Sequence, residues 1–241
     1  IDSEHFSIFS LLKNQKNDSV DRIYITASGG PFDNYPGSKF HTIKPKDALR
    51  HPNWKMGKKI TIDSASLMNK VFEVIEAKNI FNIPYKKIYI LKHPKSYIHA
   101  IIKFKSGLIK ILAHEPDMKI PIINSLYEDG DIKFKTKDIN FKILNNLDLG
   151  TVDSKKFPLI SLIKKMPNQN SLYETILITI NDFFVFKFLE NKIDLKKMMK
   201  LIKNFSNLQE FQKYKKIKPK KVDEIYRLRD YVSLKLISLG I

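Results

Sequence analysis

The segment from Asp63 to Ala77 constrains the fold most, because it predicts a helix with two chemically different faces. Apolar side chains recur three and four residues apart, the spacing of a helix that packs on a core: Leu67, Met68, Val71, Phe72 and Ile75. Polar side chains follow the same spacing on a second face: Ser66, Asn69, Lys70 and Glu73. We predict a helix over about residues 64–80, capped by Asp63 or Ser64, that holds an anion beside a cation. The alternative is an amphipathic helix with a solvated charged face.

Two more carboxylates stand near the start of the chain, in Asp2-Ser3-Glu4. In an extended segment, residues two apart point the same way, so Asp2 and Glu4 are expected to converge on one cation. With Glu73 they offer three hard oxygen donors, which suit Mg²⁺ or Mn²⁺. Taken alone, Asp-x-Glu favours a solvated acidic turn, and only its combination with the other motifs favours a metal site.

Two features predict phosphate binding. Ser28-Gly29-Gly30 follows a predicted strand, and glycines let a backbone turn and present its N–H groups. Ser64 is placed near the predicted helix N-terminus, where the helix dipole favours an anion, and Lys70 adds a full positive charge. A plain turn and an ordinary surface helix are the alternatives.

The only tryptophan, Trp54, lies in a segment that also holds His51 and Met56 and is bounded by a proline and a glycine. A large ring and a thioether on a loop can close over a ligand and exclude water, and His51 can bond a substrate oxygen. The alternative is that Trp54 packs the loop onto the core.

The net charge of +18 suggests nucleic-acid binding, but only four of the 43 basic residues are arginine. Phosphate-clamping and base-reading surfaces favour arginine, and the lysines here are spread along the whole chain. We therefore expect no nucleic-acid partner, and interpret the lysines as solvated residues whose field attracts an anionic substrate.

Composition also bears on the cellular location. The chain has no cysteine, which fits a cytosolic protein. It has no run of 18 apolar residues, so we expect no membrane span. The start, Ile1-Asp2-Ser3-Glu4-His5, has neither a methionine nor a signal-peptide pattern, and suggests a chain cut from a longer one.

The chain predicts an α+β fold in two parts. Residues 1–127 mix strand and helix patterns and form the predicted catalytic domain, residues 128–153 a linker, and residues 154–241 a small all-helical domain. Strands are expected over 22–26 and 87–91, with a hairpin of 97–104 and 108–114. Helices are expected over 119–127, from Phe157-Pro158, and over 171–190, 195–203 and 222–239.

The motifs together resemble one family, 1-deoxy-D-xylulose 5-phosphate reductoisomerase. The resemblance is strong over residues 1–127 and weaker but collinear beyond. The blocks that match in order and spacing are Asp2-Ser3-Glu4-His5, Ser28-Gly29-Gly30-Pro31-Phe32, His51-Pro52-Asn53-Trp54, Met56-Gly57, Asp63-Ser64-Ala65, Met68-Asn69-Lys70, Glu73, Ile75-Glu76-Ala77, His93-Pro94, Ser96, His99, Pro116-Asp117-Met118 and Pro121-Ile122.

The resemblance implies an NADPH-dependent reductoisomerase that makes 2-C-methyl-D-erythritol 4-phosphate for isoprenoid synthesis, with Mg²⁺ or Mn²⁺ and a phosphorylated sugar substrate. It implies a homodimer, in the cytoplasm of a bacterium or in a plastid. By the same resemblance, Asp2, Glu4 and Glu73 bind the metal; Ser3, Ser28, His51, Trp54, Ser64, Asn69 and Lys70 bind substrate; Gly29, Met56, Ser96 and Met118 contact the cofactor; and Glu73, Lys70 and His51 are catalytic.

The chain departs from the family pattern in three places. A Rossmann-like NADPH domain should precede Asp2 and is absent, so we expect the isolated chain not to turn over. Ile178 and Asp33 stand where the family carries an asparagine and, in many members, a basic residue. The alternatives to the enzyme are a basic nucleic-acid-binding protein and a non-catalytic remnant.

Overall fold

The computed structural model describes residues 1–50, 56–127 and 134–240. The α-helices of this part of the chain are α1 (Ser3–Leu12), α2 (Pro45–Ala48), α3 (Lys58–Ala65), α4 (Met68–Phe81), α5 (Lys119–Leu126), α6 (Phe141–Leu144), α7 (Tyr173–Leu189), α8 (Leu195–Ser206), α9 (Gln209–Gln212) and α10 (Val222–Ser238). The strands are β1 (Val20–Ala27), β2 (Ile88–Lys92), β3 (Ile98–Phe104), β4 (Ile109–Ala113) and β5 (Gly150–Thr151).

The strands form one sheet in the order β4-β3-β1-β2-β5. Only β1 and β2 pair in parallel among the described strands; the other neighbours are antiparallel. β1 lies at the centre, where Val20, Ile23 and Ile25 are fully buried. The predicted strands and hairpin are confirmed, and Gly107 forms the hairpin turn with φ +89°. Helices and a mixed sheet together confirm the predicted α+β class.

The first helix corrects the expectation that Asp2-Ser3-Glu4 is extended. Asp2 is the N-cap of α1, and its Oδ1 accepts hydrogen bonds from the backbone N–H groups of Glu4 and His5, each over 3.0 Å. Such a cap satisfies donors that a helix start leaves without partners. Further along α1, Ile8 and Leu11 are buried in the core, so both the cap and these apolar contacts stabilise the helix.

The predicted helix over residues 64–80 is in fact two helices, and Asp63 and Ser64 are not N-caps. Both lie in the last turn of α3, which begins at Lys58. The chain turns at Leu67, whose φ of +58° is incompatible with a continuous right-handed helix. Leu67 is nevertheless buried, so packing holds it in this conformation. The apolar spacing continues across the break, which explains why the sequence suggests one helix.

Residues 153–240 are helical, as predicted. A 3₁₀ stretch, Pro158–Lys165, stands where the helix opening at Phe157-Pro158 was expected. The three longer predicted helices are confirmed as α7, α8 and α10. Their core is aromatic and aliphatic: Phe184, Phe188 and Ile202 are fully buried.

The described residues divide into two compact units. Unit 1 comprises residues 1–33, 72–127 and 134–152, and contains the sheet, α1 and most of α4. Unit 2 comprises residues 34–50, 56–71 and 153–240, and contains α3, the first turn of α4 and the C-terminal helices. Residues 128–133 of the predicted linker lie outside the described residues; after them come α6 and β5, and β5 pairs with β2. The sequence-based domain limits stay a prediction.

None of the helices in residues 1–50, 56–127 and 134–240 combines the length and the apolar character that crossing a lipid bilayer requires.

A buried histidine anchors the segment before β5 in unit 1. His93, directly after β2, is fully buried, and its Nδ1–H donates to the carbonyl of Leu147. Its Nε2 has no hydrogen-bond partner among the described residues. A second proton there would be buried without an acceptor. Burial accordingly lowers the pKa of His93, although the Leu147 carbonyl acts in the opposite direction.

This arrangement predicts that acid destabilises the fold through His93. The pKa of His93 is about 6.5 in the unfolded chain and lower in the folded chain. Unfolding is therefore linked to proton uptake. The free energy of unfolding should fall as the pH drops below that value. His93→Asn should flatten this dependence, whereas His41→Asn, at an exposed histidine, should not. Urea denaturation at a series of pH values measures both; equal slopes in wild type and His93→Asn would contradict the prediction.

Candidate metal centre and substrate-binding residues

Three carboxylates converge in unit 1. Asp2 caps α1, Glu4 lies in its first turn, and Glu73 lies in α4. One carboxylate oxygen from each lies within 4.8 Å of the others. Glu4 and Glu73 are buried, and Asp2 is about one-third exposed. The structure thus brings together the three residues that were predicted as metal ligands, although by a helix start rather than by a strand.

The bonds around α1 fix the orientation of two of these carboxylates. Asp2 Oδ1 is held by the backbone of the first turn. The Ser3 hydroxyl donates to Glu4 Oε2 through a short hydrogen bond. Ser3, predicted to bind substrate, is therefore buried beside a candidate metal ligand. A carboxylate whose position is set by its neighbours loses little freedom when it binds an ion.

His5 links the two elements that carry the carboxylates, a role that the sequence analysis missed. Its Nε2 lies 2.9 Å from the backbone oxygen of Glu73, and its Nδ1 lies 3.3 Å from Asp2 Oδ1 and 3.5 Å from Glu76 Oε2. Burial raises the pKa of Glu76, against the effect of His5. A histidine three residues after a helix N-cap was the available signal, since these positions share a face.

The chemistry of the cluster fits a divalent cation. All three donors are hard carboxylate oxygens, which Mg²⁺ and Mn²⁺ prefer. Two of the three are largely withdrawn from water, so their mutual repulsion is poorly screened. A cation held among Asp2, Glu4 and Glu73 would relieve that repulsion.

In unit 2, the residues that were predicted to bind an anion are divided between α3 and α4. Ser64 is half-buried in the last turn of α3, so the prediction that it lies near a helix N-terminus is wrong. Asn69 and Lys70 instead lie in the first turn of α4, where N–H groups point outward. Lys70 is buried and adds its charge to that end of the helix. That Asn69 and Lys70 bind the phosphate stays a prediction.

The glycine turn after β1 belongs to unit 1. The Ser28 hydroxyl accepts a hydrogen bond from the Gly30 N–H over 3.2 Å. Gly29 has φ +82°, and a Cβ there would lie 2.8 Å from Asp33, so the turn requires glycine. Asp33, the departure noted above, forms an ion pair of 3.2 Å with Lys92. That Ser28 contacts phosphate and Gly29 the cofactor stays a prediction.

A polar network in unit 2, buried at Asp63 and Asn181, joins α3 to α7. Asn181 donates to Asp63 over 2.8 Å, and Lys59 lies 2.9 Å from Asp63 and 2.8 Å from Asp182. Asn181 and Asp182 are the last two residues of the stretch 178–182. Its first residue, Ile178, stands where the family carries an asparagine. Ile178, which replaces it, is 45% exposed, so the substitution lies on the surface. No local sequence signal could reveal the Asp63–Asn181 pair, whose members are 118 residues apart.

The remaining predicted positions are only partly described. Ser96 is buried in unit 1 with φ +48°, and its N–H bonds the His93 carbonyl. Met118, half-buried, precedes α5, and Met56 precedes α3 in unit 2. His51 and Trp54 lie outside the described residues, so their predicted roles at the closing loop stay predictions.

Two family models match the chain. Residues 1–81 match the model described as 1-deoxy-D-xylulose 5-phosphate reductoisomerase C-terminal domain. Residues 114–232 match the model described as DXP reductoisomerase C-terminal domain. Together they take in the carboxylate cluster, the first turn of α4 and most of the C-terminal helices.

Curated relatives carry the same name. The 1-deoxy-D-xylulose 5-phosphate reductoisomerase of Pelagibacter ubique is 54% identical over all 241 residues, which make up 62% of that protein. The Sulfurihydrogenibium sp. protein of this name is 43% identical over 201 residues, 83% of this chain and 54% of that protein. The chain thus spans a little over half the length of these relatives.

Solved structures agree with the sequence relatives. The Zymomonas mobilis reductoisomerase in complex with NADPH superposes with a TM-score of 0.84 at 30% identity, covering 99% of this chain and 60% of that one. A reductoisomerase in complex with NADPH, fosmidomycin and magnesium gives 0.88 at 26% identity, covering 98% of this chain and 62% of that one. With two family models and these relatives in agreement, the chain belongs to the 1-deoxy-D-xylulose 5-phosphate reductoisomerase family.

Proposed function

We propose that the chain is the metal- and substrate-binding part, together with the helical part, of an enzyme that converts 1-deoxy-D-xylulose 5-phosphate to 2-C-methyl-D-erythritol 4-phosphate. The observation that carries the proposal is the carboxylate cluster on α1 and α4 in a member of this family. Family membership also favours this function over a nucleic-acid-binding protein.

Asp2, Glu4 and Glu73 would hold Mg²⁺ or Mn²⁺. A bound divalent cation supplies Lewis acidity, which stabilises negative charge on substrate oxygens as the carbon skeleton rearranges. The chain's own part is to keep three oxygens together: the α1 cap orients Asp2, Ser3 orients Glu4, and His5 bonds the backbone of Glu73. Burial of Glu4 and Glu73 limits competing water.

The phosphate of the substrate would bind at the first turn of α4, through Asn69 and the positive charge of Lys70. Ser64 and Ser28 would add hydroxyl donors. A phosphate held away from the reacting carbons orients the substrate, so binding energy serves the reaction. Lys70 and Glu73 both belong to α4.

The remaining assignments follow the family resemblance. His51, Trp54 and Met56 would close over the bound substrate, with His51 bonding a substrate oxygen. Gly29, Met56, Ser96 and Met118 would line the nicotinamide pocket, and NADPH supplies the hydride for the reduction. A homodimer, and a location in a bacterial cytoplasm or a plastid, belong to the same proposal.

Removing one carboxylate should weaken metal binding. Glu73→Gln keeps the size of the side chain but removes a charge, so the dissociation constant for Mn²⁺ should rise about tenfold or more. Electron paramagnetic resonance of free Mn²⁺ measures this without turnover. Glu190→Gln, which makes the same change at an exposed glutamate in unit 2, is the matched control and should change affinity little. Equal Mn²⁺ affinity of wild type and Glu73→Gln would remove Glu73 from the metal site.

The 241-residue chain by itself is expected not to oxidise NADPH in the presence of 1-deoxy-D-xylulose 5-phosphate and Mg²⁺. The adenine and pyrophosphate contacts of the cofactor are proposed to come from a further domain of the Rossmann type. Loss of NADPH absorbance measures turnover. Steady oxidation that disappears in Glu73→Gln would show that the chain is sufficient, and would overturn this part of the proposal.

A further inference from the structure

Asn181 lies fully buried in the middle of α7 and faces a buried carboxylate of α3. Its Nδ2 donates to Oδ1 of Asp63 over 2.8 Å, and Asp63 is only 2% exposed. The other oxygen of Asp63, Oδ2, pairs with Lys59 Nζ at 2.9 Å. All three residues belong to unit 2. Asp63 therefore has one partner on its own helix and one on α7.

Burial makes these partners necessary. A carboxylate withdrawn from water is costly unless it is paired and hydrogen-bonded, and burial raises the pKa of Asp63. Lys59 lies one turn away on α3 and also pairs with Asp182 of α7 at 2.8 Å. Asn181 is the partner that bonds Asp63 itself, in the last turn of α3, to a second element. Without the side-chain N–H of Asn181, the Asp63 carboxylate would have to turn toward water, and the end of α3 would shift with it.

The backbone of Asp63 transmits this restraint further along the chain. Ser64 is the next residue. The carbonyl of Asp63 accepts a hydrogen bond from the Ser66 hydroxyl over 3.2 Å, and the same hydroxyl accepts from the Met68 N–H over 3.4 Å. Met68 begins α4, whose first turn carries Asn69 and Lys70. The turn between the two helices is therefore built on Asp63.

We propose that Asn181 is a positioning residue for the phosphate end of the substrate, acting through Asp63 on Ser64 and on the first turn of α4. The inference rests on the proposed function, because it takes a phosphorylated sugar as the ligand. Asn181 itself makes no contact with the substrate. Its effect is to keep a hydroxyl, an amide and an ammonium in the register that a phosphate requires.

The test compares substrate and metal affinity in the full 241-residue chain. In Asn181→Leu, which fills the site but removes the donor, the dissociation constant for 1-deoxy-D-xylulose 5-phosphate should rise about tenfold or more. Calorimetry in the presence of Mg²⁺ measures it. The affinity for Mn²⁺ should stay unchanged, because the three carboxylates belong to unit 1. A general loss of structure would weaken both.

Two further variants complete the test. Asn204→Leu makes the same change at an exposed asparagine of α8 and should leave both affinities as in wild type. If Asn181→Leu does not fold, Asn181→Ser decides, since a hydroxyl with a bridging water can still reach Asp63. Asn181→Ser should bind substrate more weakly than wild type and more tightly than any folded Asn181→Leu.

The outcomes separate the two proposals. If the wild-type chain binds no 1-deoxy-D-xylulose 5-phosphate, the proposed function of this chain fails and the inference fails with it. If wild type binds the substrate, and a folded Asn181 variant binds it equally well, only the positioning role of Asn181 is overturned. Selective loss of substrate affinity, with Mn²⁺ affinity intact, supports it.

Discussion

Buried charge is the constraint on which the functional part of this structure depends. Glu4, Glu73, Asp63 and Lys70 are all at least nine-tenths withdrawn from water. Each such group would destabilise the fold if its neighbours did not compensate for lost hydration. For two of these groups the compensation comes from neighbouring side chains: Ser3 donates to Glu4, and Lys59 and Asn181 pair with Asp63. These contacts hold in place the helices that carry the two carboxylates, α1 for Glu4 and α3 for Asp63.

The helix α4 connects the two kinds of binding chemistry in the proposed enzyme. Its first turn offers N–H groups, an amide and an ammonium, which suit a phosphate. One turn later, Glu73 joins two carboxylates of α1, which suit a cation. Asn69, Lys70 and Glu73 therefore belong to one continuous helix. The family assignment gives this arrangement its chemical meaning, and the arrangement indicates why these residue types occur at this spacing.

How much the sequence could predict depended on the range of the interactions. Runs of apolar residues predict β1 to β4, although most of these residues are buried only in β1 and β3, whereas Ile109 and Ile111 of β4 are exposed. The break between α3 and α4 was missed because Leu67 adopts a positive φ, and leucine carries no sequence signal for that conformation. Helix α1 was missed because Asp2 was interpreted as a ligand only, although an aspartate can cap a helix as well. The Asp63–Asn181 bond depends on tertiary packing, which a single sequence does not reveal.

The short strand β5 has a consequence for association between molecules. An edge strand exposes a row of unpaired N–H and C=O groups that a strand from another chain can join. Gly150 and Thr151 pair with Leu91 and Lys92, so a piece of chain only two residues long occupies that end of β2. Such a brief edge leaves little length for intermolecular sheet extension. The hydrogen bond from His93 to Leu147 anchors the chain that leads into β5, and so helps to keep this short edge strand paired with β2.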